Sequence, residues 1–256
     1  MTGLLDSKVA IVTGAGAGIG EAIARAYSAE GARVVVADID GDAARSVADS
    51  IDGAIAVTVD VADEHQVANL IARTVDEFGG LQVVVPNAGI ASVAPVIETS
   101  FADWRRVMAV NLDGVFLTIR HALPALIKSG GGSIVTISSI TATAGSPLIA
   151  SYAAAKAAVR SLTETLCTEL KAHNIRVNAL LPGFIETAMV DEQKAGFANA
   201  MGMDPSGFDH IIAAKQTRYG TTREVAAAAV FLASDQSAFC NGSSLVLDGG
   251  FCASLL

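Results

Sequence analysis

Short apolar runs rich in β-branched residues alternate with longer segments whose apolar positions recur every three or four residues. The runs predict seven strands, at residues 8–14, 33–39, 54–61, 81–85, 133–139, 175–182 and 243–249. The segments between them predict helices, which include residues 18–30, 101–128, 151–173 and 222–233. Strands that are apolar on both faces and separated by helices are typical of a parallel sheet between two helix layers. The pattern therefore predicts one doubly wound α/β domain over residues 1–256, with a seven-stranded, mostly parallel sheet.

The composition excludes several classes of protein. Of the 256 residues, 52% are hydrophobic and 17% are charged, which gives enough apolar surface for a large core. The net charge of −9 has the wrong sign for a protein that coats phosphates, so we expect no nucleic-acid partner. The longest apolar run, 225–233, is shorter than the roughly 20 residues that cross a bilayer. The N-terminal MTGLLDSK lacks a secretory pattern, and we expect neither a membrane span nor a targeting signal.

The cysteines indicate a reducing environment. Cys167, Cys240 and Cys252 form no CxxC pair, and with four scattered histidines they give no zinc signature. We therefore expect no metal site, and we interpret the thiols as small buried side chains. A cytoplasmic location is the expectation.

The first predicted strand runs directly into a glycine-rich turn. The spacing T-G-x-x-x-G-x-G places Gly14, Gly18 and Gly20 between this strand and the following helix. Gly14 would allow the tight turn, and Gly18 would let a pyrophosphate approach the helix N-terminus. Gly20 would let the helix pack closely on the strand. A purely structural turn is the alternative, but the strand–turn–helix context favours a dinucleotide site.

Two acidic residues at strand ends predict how the rest of a dinucleotide is held. Asp38 ends the second strand, 20 residues after Gly18, where a carboxylate can accept hydrogen bonds from an adenosine ribose. This carboxylate would repel the 2′-phosphate of NADP, and no Arg or Lys lies in the turn or directly after it, so NAD is favoured over NADP. Asp60 could accept a hydrogen bond from the adenine amine. The alternative role of Asp38 is a helix cap, which Asp40 could supply instead.

A second set of residues carries the candidate chemistry. Tyr152 and Lys156 are four residues apart on a predicted helix and therefore share one face. Ser139 closes the predicted fifth strand, at the edge where open α/β sheets place their ligands. We expect the three side chains to meet beside the glycine turn. An ordinary exposed helix pair is the alternative for Tyr152 and Lys156.

These residue types suit the oxidation of a secondary alcohol, in which the hydroxyl loses a proton while hydride leaves carbon for nicotinamide. A tyrosine is a poor base at neutral pH because its ordinary pKa is about 10. A lysine cation about 4 Å away would stabilise the phenolate by roughly 4 kcal/mol and lower this pKa toward the working range. The Ser139 hydroxyl would hydrogen-bond the substrate oxygen and hold it near the phenol.

Over essentially its whole length, the chain resembles the classical short-chain dehydrogenase/reductase family. TGAGAGIG matches the family's cofactor turn, and Ser139, Tyr152 and Lys156 match its S…YxxxK set. Asn111 in VNLDG matches its fourth catalytic residue. PNAG at 86–89 resembles its NNAG motif, although a proline replaces the first Asn and removes a backbone donor. Gln82 stands where the family often has Asp, and both departures concern the sheet rather than the chemistry.

The resemblance implies a Rossmann-like fold, an NAD(P) cofactor and roles for individual residues. It implies that Asn111 orders a water through its backbone and extends a proton relay beyond Lys156, which also binds the nicotinamide ribose. Thr187 and the backbone near Ile185 would hold the carboxamide, and Asn87 would steady the cofactor edge of the sheet. The cofactor-binding residues expected in all are Gly14, Gly18, Ile19, Gly20, Asp38, Asp60, Val61, Asn87, Tyr152, Lys156, Pro182, Ile185 and Thr187.

Residues 183–215 are expected to form an irregular lid over the substrate, because they show no clean hydrophobic period. The lid carries Phe184, Met189, Phe197, Met201, Met203 and Phe208. If several of these face the pocket, the substrate has an apolar body, such as an alicyclic, aryl or steroid-like secondary alcohol. The alternative is that they pack on the core.

Three functions compete on this sequence. The first is an NAD-dependent alcohol dehydrogenase, and the second is an NADPH-dependent 3-oxoacyl-thioester reductase. Lys194, Lys215 and Arg218 in the lid region keep an acyl-carrier or CoA-linked substrate open, whereas Asp38 argues against NADPH. The third is a catalytically idle cofactor-binding scaffold. The apolar helices at 101–128 and 151–173 predict a homo-oligomer, and the family resemblance implies a tetramer.

Overall fold

The computed structural model describes residues 3–253, and these contain a seven-stranded sheet. Its strands are Val9–Thr13 (β1), Arg33–Asp38 (β2), Ala54–Thr58 (β3), Val83–Val85 (β4), Gly132–Ile137 (β5), Ile175–Pro182 (β6) and Ser244–Leu247 (β7). Their order is β3-β2-β1-β4-β5-β6-β7, and each neighbouring pair is parallel. The predicted α/β fold is confirmed, and its mostly parallel sheet is parallel throughout the described strands.

Helices cover both faces of this sheet. They are Gly18–Ala29 (α1), Gly41–Ala48 (α2), Glu64–Phe78 (α3), Phe101–Met108 (α4), Gly114–Lys128 (α5), Ala150–Leu170 (α6), Ala188–Ala200 (α7), Pro205–Lys215 (α8) and Thr222–Ala233 (α9). Alternate residues of each central strand enter opposite cores: Ala10 and Val12 pack with α1 and α9, whereas Val9 and Ile11 pack with α3, α5 and α6. Burial on both faces explains the continuous apolar strands of the sequence.

The predicted helix over 101–128 contains an irregularity that its apolar pattern did not show. A π-helical turn, Ala109–Asp113, separates α4 from α5. By length and composition alone, Phe101–Lys128 could cross a membrane, with a mean hydropathy of 1.2 over its best window. However, α5 packs on α3, β4 and β5, and α4 packs on α6. This is the environment of a core helix in an α/β layer.

The lid region is more regular than we expect from its sequence. Residues 188–200 and 205–215 form α7 and α8, capped by the side chains of Thr187 and Asp204. The expectation of an irregular segment is therefore wrong. The hydrophobic period is weak because each helix buries little of its surface: α7 buries Phe197 and Ala198, and the core residues of α8 include Phe208 and Ile212. The caps were the readable signal, in Thr187 before the helix and in Asp204-Pro205.

Candidate active site

The glycine turn leaves the N-terminus of α1 open to an anion. Gly14 and Gly18 adopt left-handed φ angles of 63° and 59°, which few residues with a Cβ tolerate. A Cβ on Gly20 would lie 2.1 Å from the Gly14 carbonyl oxygen, so only glycine permits this approach of α1 to β1. The residue before α1, Ala17, provides no side-chain cap, in contrast to the caps of α2, α3 and α4. The first backbone N–H groups of α1 are thus left for a ligand.

Asp38 is held at the end of β2 with both carboxylate oxygens oriented. Oδ2 accepts a hydrogen bond from the Gly16 N–H at 2.8 Å, and Oδ1 accepts one from the Asp40 N–H at 3.0 Å. The cap of α2 is Asp40, which accepts from the backbone N–H groups of Asp42 and Ala43. Asp38 is therefore not needed as the cap, and its carboxylate lines the cleft beside the turn.

Asn87 ties the end of β4 to the glycine turn. Its Nδ2 donates to the carbonyl oxygens of Thr13 and Gly14, at 2.9 and 3.0 Å. The Thr13 hydroxyl accepts in return from the N–H groups of Asn87 and Ala88. The strand ends before Pro86, so the missing N–H of that proline falls outside the described ladder. The steadying role expected of Asn87 has a direct geometric basis.

A cleft of about 340 Å³ runs along the carboxyl ends of the strands from this turn. Of the cofactor residues expected from the sequence, it is lined by Gly14, Gly18, Ile19, Asp38, Asp60, Val61, Asn87, Tyr152, Lys156 and Thr187. The side chain of Thr187 faces Gly18 across the cleft, because a Cβ on Gly18 would lie 3.5 Å from the Thr187 Cγ2 atom. The two halves of the predicted site, turn and YxxxK helix, therefore share one cavity.

Three expected cofactor residues do not line this cleft. Gly20 lies under the turn, and Pro182 is buried as the last residue of β6. Ile185 is also buried, and its carbonyl oxygen accepts from the Thr187 hydroxyl at 3.3 Å. The structure thus gives them packing and positioning contacts, and Ile185 orients Thr187 from behind.

Ser139, Tyr152 and Lys156 lie together at the same edge of the sheet. Ser139 follows β5 by two residues rather than closing it, and its hydroxyl accepts from the Thr141 N–H at 3.2 Å. The Lys156 ammonium lies 5.5 Å from the centroid of the Tyr152 ring and donates to the Ile137 carbonyl oxygen at 2.8 Å. Tyr152 and Lys156 line the cleft together, whereas Ser139 does not line it but hydrogen-bonds the Tyr152 side chain.

The electrostatics of the phenol differ from the expectation. Burial raises the pKa of Tyr152 above its usual value, and the hydrogen bond with Ser139 lowers it only in part. Burial also lowers the pKa of Lys156 to about 8. The predicted lowering of the phenol pKa by a nearby lysine cation is therefore not what the structure gives. Loss of solvation disfavours the charged form of both groups.

Asn111 lies within the π-helical turn and is fully buried. Its Oδ1 accepts from the Ile90 N–H at 2.8 Å, and its Nδ2 donates to the Ile90 carbonyl oxygen at 2.7 Å. Between Asn111 and Lys156 stands Gly89, where a Cβ would lie 3.0 Å from Asn111 Oδ1 and 3.6 Å from Lys156 Nζ. The residue expected in the proton relay therefore lies in the irregular turn of the helix. Turns of this kind are frequent at functional sites.

Tyr152 has apolar neighbours outside the two cores that cover the sheet. Tyr152 packs against a cluster built on Ile149, Phe197, Phe208 and Ile212, to which Phe184 and Phe251 also belong. The ring of Phe184 lies edge-on to that of Phe208, at 5.2 Å between centroids. Phe184, Phe197 and Phe208 thus belong to a small core cluster that is separate from the two cores covering the sheet, and they do not line the cleft. We use the name aromatic cluster for the following residues: Ile149, Phe184, Phe197, Phe208, Ile212 and Phe251.

Sequence reasoning missed several residues of the site. Beside Met189, a lid residue already named from the sequence, the cleft is lined by Ala17, Ile39, Val59, Ala88, Gly89, Ile90, Val110, Ile137 and Ala188. Most are apolar residues next to a recognised motif, so proximity to the motif was the available signal. The cysteine expectation was wrong in one case: Cys167 and Cys240 are partly buried, whereas Cys252 is exposed. Within residues 3–253 no group of three metal-ligating side chains was found.

Comparison with known proteins agrees with this geometry. The family model described as Enoyl-(Acyl carrier protein) reductase matches residues 14–252. The cis-4-hydroxycyclohexanecarboxylate dehydrogenase of Sinomonas cyclohexanicum is 43% identical over 96% of this chain and 97% of its own length. The 3-oxoacyl-[acyl-carrier-protein] reductase of Thermotoga maritima is 37% identical over 96% of this chain and 98% of its own.

Solved structures give the same family. A short-chain type dehydrogenase/reductase from Mycobacterium marinum superimposes with a TM-score of 0.89 at 34% identity, covering 98% of this chain and 97% of the other. A protein assigned as an NAD(P)-dependent gluconate 5-dehydrogenase, from Beutenbergia cavernae with NADP bound, gives 0.87 at 38% identity and covers 98% of each chain. The chain therefore belongs to the short-chain dehydrogenase/reductase family and is a nicotinamide-dependent oxidoreductase of secondary alcohols and ketones.

Proposed function

We propose that the protein interconverts an apolar secondary alcohol and its ketone with NAD, using Asn111, Ser139, Tyr152 and Lys156 as its catalytic residues. The observation that carries this proposal is the meeting of Tyr152 and Lys156 with the glycine turn in one cleft. Residues 183–215 form the lid of the same single domain. Their aromatic side chains lie against the phenol, which supports an apolar substrate.

The cleft fits a dinucleotide on its own features. The uncapped N-terminus of α1 would hold the pyrophosphate, Asp38 the adenosine ribose and Asp60 the adenine. Thr187, opposite Gly18, would hold the carboxamide. When bound, the oxidised dinucleotide supplies the hydride acceptor. The residues of this chain orient the substrate and move its proton.

Tyr152 would exchange that proton with the substrate oxygen. Because burial raises its pKa, the phenol holds its proton at neutral pH and can donate it to a ketone. In the reverse direction the same group must lose its proton first, so alcohol oxidation needs a higher pH. Ser139 would hold the substrate oxygen, and Lys156 with Asn111, on either side of Gly89, would pass the proton onward.

NAD is the proposed partner because the cleft is acidic where a 2′-phosphate would lie. Asp38 has both oxygens engaged by backbone N–H groups, which fixes its charge at this position. Ile39, the next residue, is 69% exposed and offers no cation. A 2′-phosphate at this place would meet an oriented carboxylate rather than an Arg or Lys.

Two observations support an alicyclic substrate: the aromatic cluster, and the similarity to the cis-4-hydroxycyclohexanecarboxylate dehydrogenase of Sinomonas cyclohexanicum. A cyclohexane ring matches the apolar character of this cluster, which packs on Tyr152 and in which the Phe184 and Phe208 ring centroids lie 5.2 Å apart. The second candidate is a 3-oxoacyl-thioester reductase, which the Thermotoga maritima relative and the family model favour. The oriented carboxylate at Asp38 weighs against it, because such reduction is expected to use NADPH. An idle scaffold is disfavoured by the intact Ser139, Tyr152 and Lys156.

We further propose a cytoplasmic homotetramer. Apolar side chains are exposed on α4 and α5, where Phe101 is 72% and Phe116 48% exposed, and on β7, where Val246 is 43% exposed. Such patches are typical of subunit interfaces. Cys167, Cys240 and Cys252 are all free thiols, as in a reducing compartment. Sedimentation equilibrium tests the assembly, and a monomer at micromolar concentration would contradict it.

The decisive experiment screens secondary alcohols with NAD and follows the absorbance of the reduced nicotinamide. We expect turnover of cyclohexanol-type alcohols by the wild type. Tyr152→Phe removes the proton-transferring hydroxyl and keeps the ring in the aromatic cluster, so turnover should fall by about 100-fold or more. Unchanged turnover in this variant would refute the mechanism. If the enzyme instead shows saturable reduction of 3-oxoacyl thioesters with NADPH and oxidises no alcohol, the second candidate, a 3-oxoacyl-thioester reductase, would be established.

A further inference from the structure

Three cations lie in or next to the lid, and two of them are already paired. Lys194 on α7 forms an ion pair with Asp209 on α8. Arg218 pairs with Glu224, with 2.6 Å between Nη2 and Oε1. Lys215, the last residue of α8, has no carboxylate within 4 Å among residues 3–253. Its charge is therefore not neutralised by an ion pair within the described structure.

The ammonium of Lys215 lies at the edge of the aromatic cluster. It stands 5.6 Å from the centroid of the Phe251 ring, and Phe251 lies 5.5 Å from Phe184. Both rings belong to the cluster that packs on Tyr152. The side chain of Lys215 is itself half-buried rather than extended into solvent. Packing contacts thus run from the Lys215 ammonium through Phe251 and Phe184 to the cluster on Tyr152.

A carboxylate in the neighbourhood of Lys215 is already engaged by other groups. Asp248 hydrogen-bonds the Cys252 thiol, on which Lys215 also acts electrostatically. Its two carboxylate oxygens accept from the N–H groups of Gly250 and Cys252, at 2.9 and 2.8 Å. Cys252 also interacts with Thr143, four residues after Ser139. The carboxylate of Asp248 is thus held within its own segment, and it forms no ion pair with Lys215 among residues 3–253.

A helix C-terminus alone would explain a lysine here, since cations favour the last turn of a helix. That explanation does not require the side chain to lie over a ring of the substrate-side cluster. A lysine serving only the helix dipole would keep its ammonium in water. The half-buried position over Phe251 instead places the charge where a bound molecule would meet it.

We propose that Lys215 binds a carboxylate of the substrate, so that the substrate is a hydroxy acid with an apolar ring or chain between its two polar ends. The secondary hydroxyl would lie at Tyr152 and the carboxylate at Lys215, with the aromatic cluster along the body. This inference rests on the proposed alcohol dehydrogenase function. It adds a specificity residue, and it takes no part in the hydride or proton transfer.

The test compares 4-hydroxycyclohexanecarboxylate with its methyl ester, which has the same ring and hydroxyl but no charge. We expect the wild type to show a higher kcat/KM for the acid. Lys215→Met keeps the apolar stem and removes the charge, so the acid-to-ester ratio of kcat/KM should fall by about 10-fold to 100-fold. Lys215→Arg should retain at least part of the preference, because it retains the charge.

Lys194→Met is the matched control, since this lysine lies on the neighbouring lid helix but is paired with Asp209. Its ratio should change by less than about threefold, as expected for a surface ion pair. An unchanged ratio in Lys215→Met, or an equal fall in Lys194→Met, would overturn the inference. A wild type that oxidises the ester and ignores the acid would overturn it as well, while leaving the proposed dehydrogenase intact. Oxidation of neither compound nor of cyclohexanol would instead count against the proposed function.

Discussion

The π-helical turn at Asn111 can be tested by removing one side chain. Asn111→Ala deletes both hydrogen bonds to the backbone of Ile90, at 2.8 and 2.7 Å. Each partly buried group of Ile90 then loses its partner, and each such loss costs about 1–3 kcal/mol. Because water can reach part of Ile90, we expect the free energy of unfolding to fall by about 2–4 kcal/mol. Urea unfolding at a fixed protein concentration measures this change.

Asn178 provides a matched control on β6. It is equally buried, donates to the Cys240 carbonyl oxygen at 2.8 Å and accepts from the Ser243 N–H at 3.0 Å. Asn178→Ala should therefore destabilise the fold by a similar amount. It should leave kcat/KM within about threefold at a temperature where both variants are folded, because none of its partners lines the cleft.

Asn111→Ala should also lower activity, because Ile90 and Gly89 line the cleft next to Lys156. Loss of the anchor lets this loop move, and small displacements at an active site reduce the rate by about 10-fold to 100-fold. If Asn111→Ala and Asn178→Ala lose the same stability and keep the same kcat/KM, the turn has only a structural role. A large loss of activity in Asn178→Ala would also contradict the reasoning.

Two further outcomes follow from single contacts of the site. Ser139→Ala removes the hydrogen bond that lowers the pKa of Tyr152, so this pKa should rise. The pH at which the residual alcohol oxidation increases should then move to a higher value. A pH profile of kcat/KM that stays in place or moves to lower pH would contradict this. Asp38→Ala removes the acceptor proposed for the ribose, so NAD binding, measured by nicotinamide fluorescence, should weaken by about 10-fold to 100-fold. The difference in affinity between NAD and NADP should become smaller in this variant. A wild type that binds NADP more tightly than NAD would overturn the cofactor proposal.

Most of the fold could be predicted from the sequence, because strand patterns and helix patterns alternate along it. Strands buried on both faces are continuously apolar, so β1 and β2 stand out without any contact information. The lid was harder, because α7 and α8 bury few residues and their period is weak. Their caps, Thr187 and Asp204, were local signals that a pattern based on apolar positions does not weigh.

The candidate site was predictable where chemistry and spacing coincide. Gly14, Asp38, Tyr152 and Lys156 follow from the needs of a dinucleotide and of proton transfer, and all four line the cleft. Pro182, Ile185 and Gly20 came from the family pattern or from packing, and the structure puts them behind the cleft rather than on it. A motif marks a segment, and only the fold decides which of its residues face the ligand.

The π turn could not be found from the apolar pattern of 101–128. One extra residue in a helical turn shifts the buried face without breaking the run of apolar side chains. The turn carries a long-range contact that the pattern does not contain, since Asn111 bonds to Ile90, 21 residues earlier in the chain. The ion pair between Lys194 and Asp209 could not be predicted from the sequence either, because it depends on how α7 and α8 pack together.

The charge state of the phenol depends on burial more than on the lysine that the YxxxK spacing provides. Spacing shows which groups meet, but the cost of removing them from water depends on everything packed around them. Here that cost raises the pKa of Tyr152 and lowers that of Lys156 to about 8, so at neutral pH the phenol is protonated and the lysine is still mainly a cation. In the proposed mechanism, a protonated phenol is the form that would donate to a ketone, whereas alcohol oxidation would first need its proton removed. Because the aromatic cluster packs on Tyr152 and contributes to its burial, we predict that changes in that cluster alter the pH profile as well as the choice of substrate.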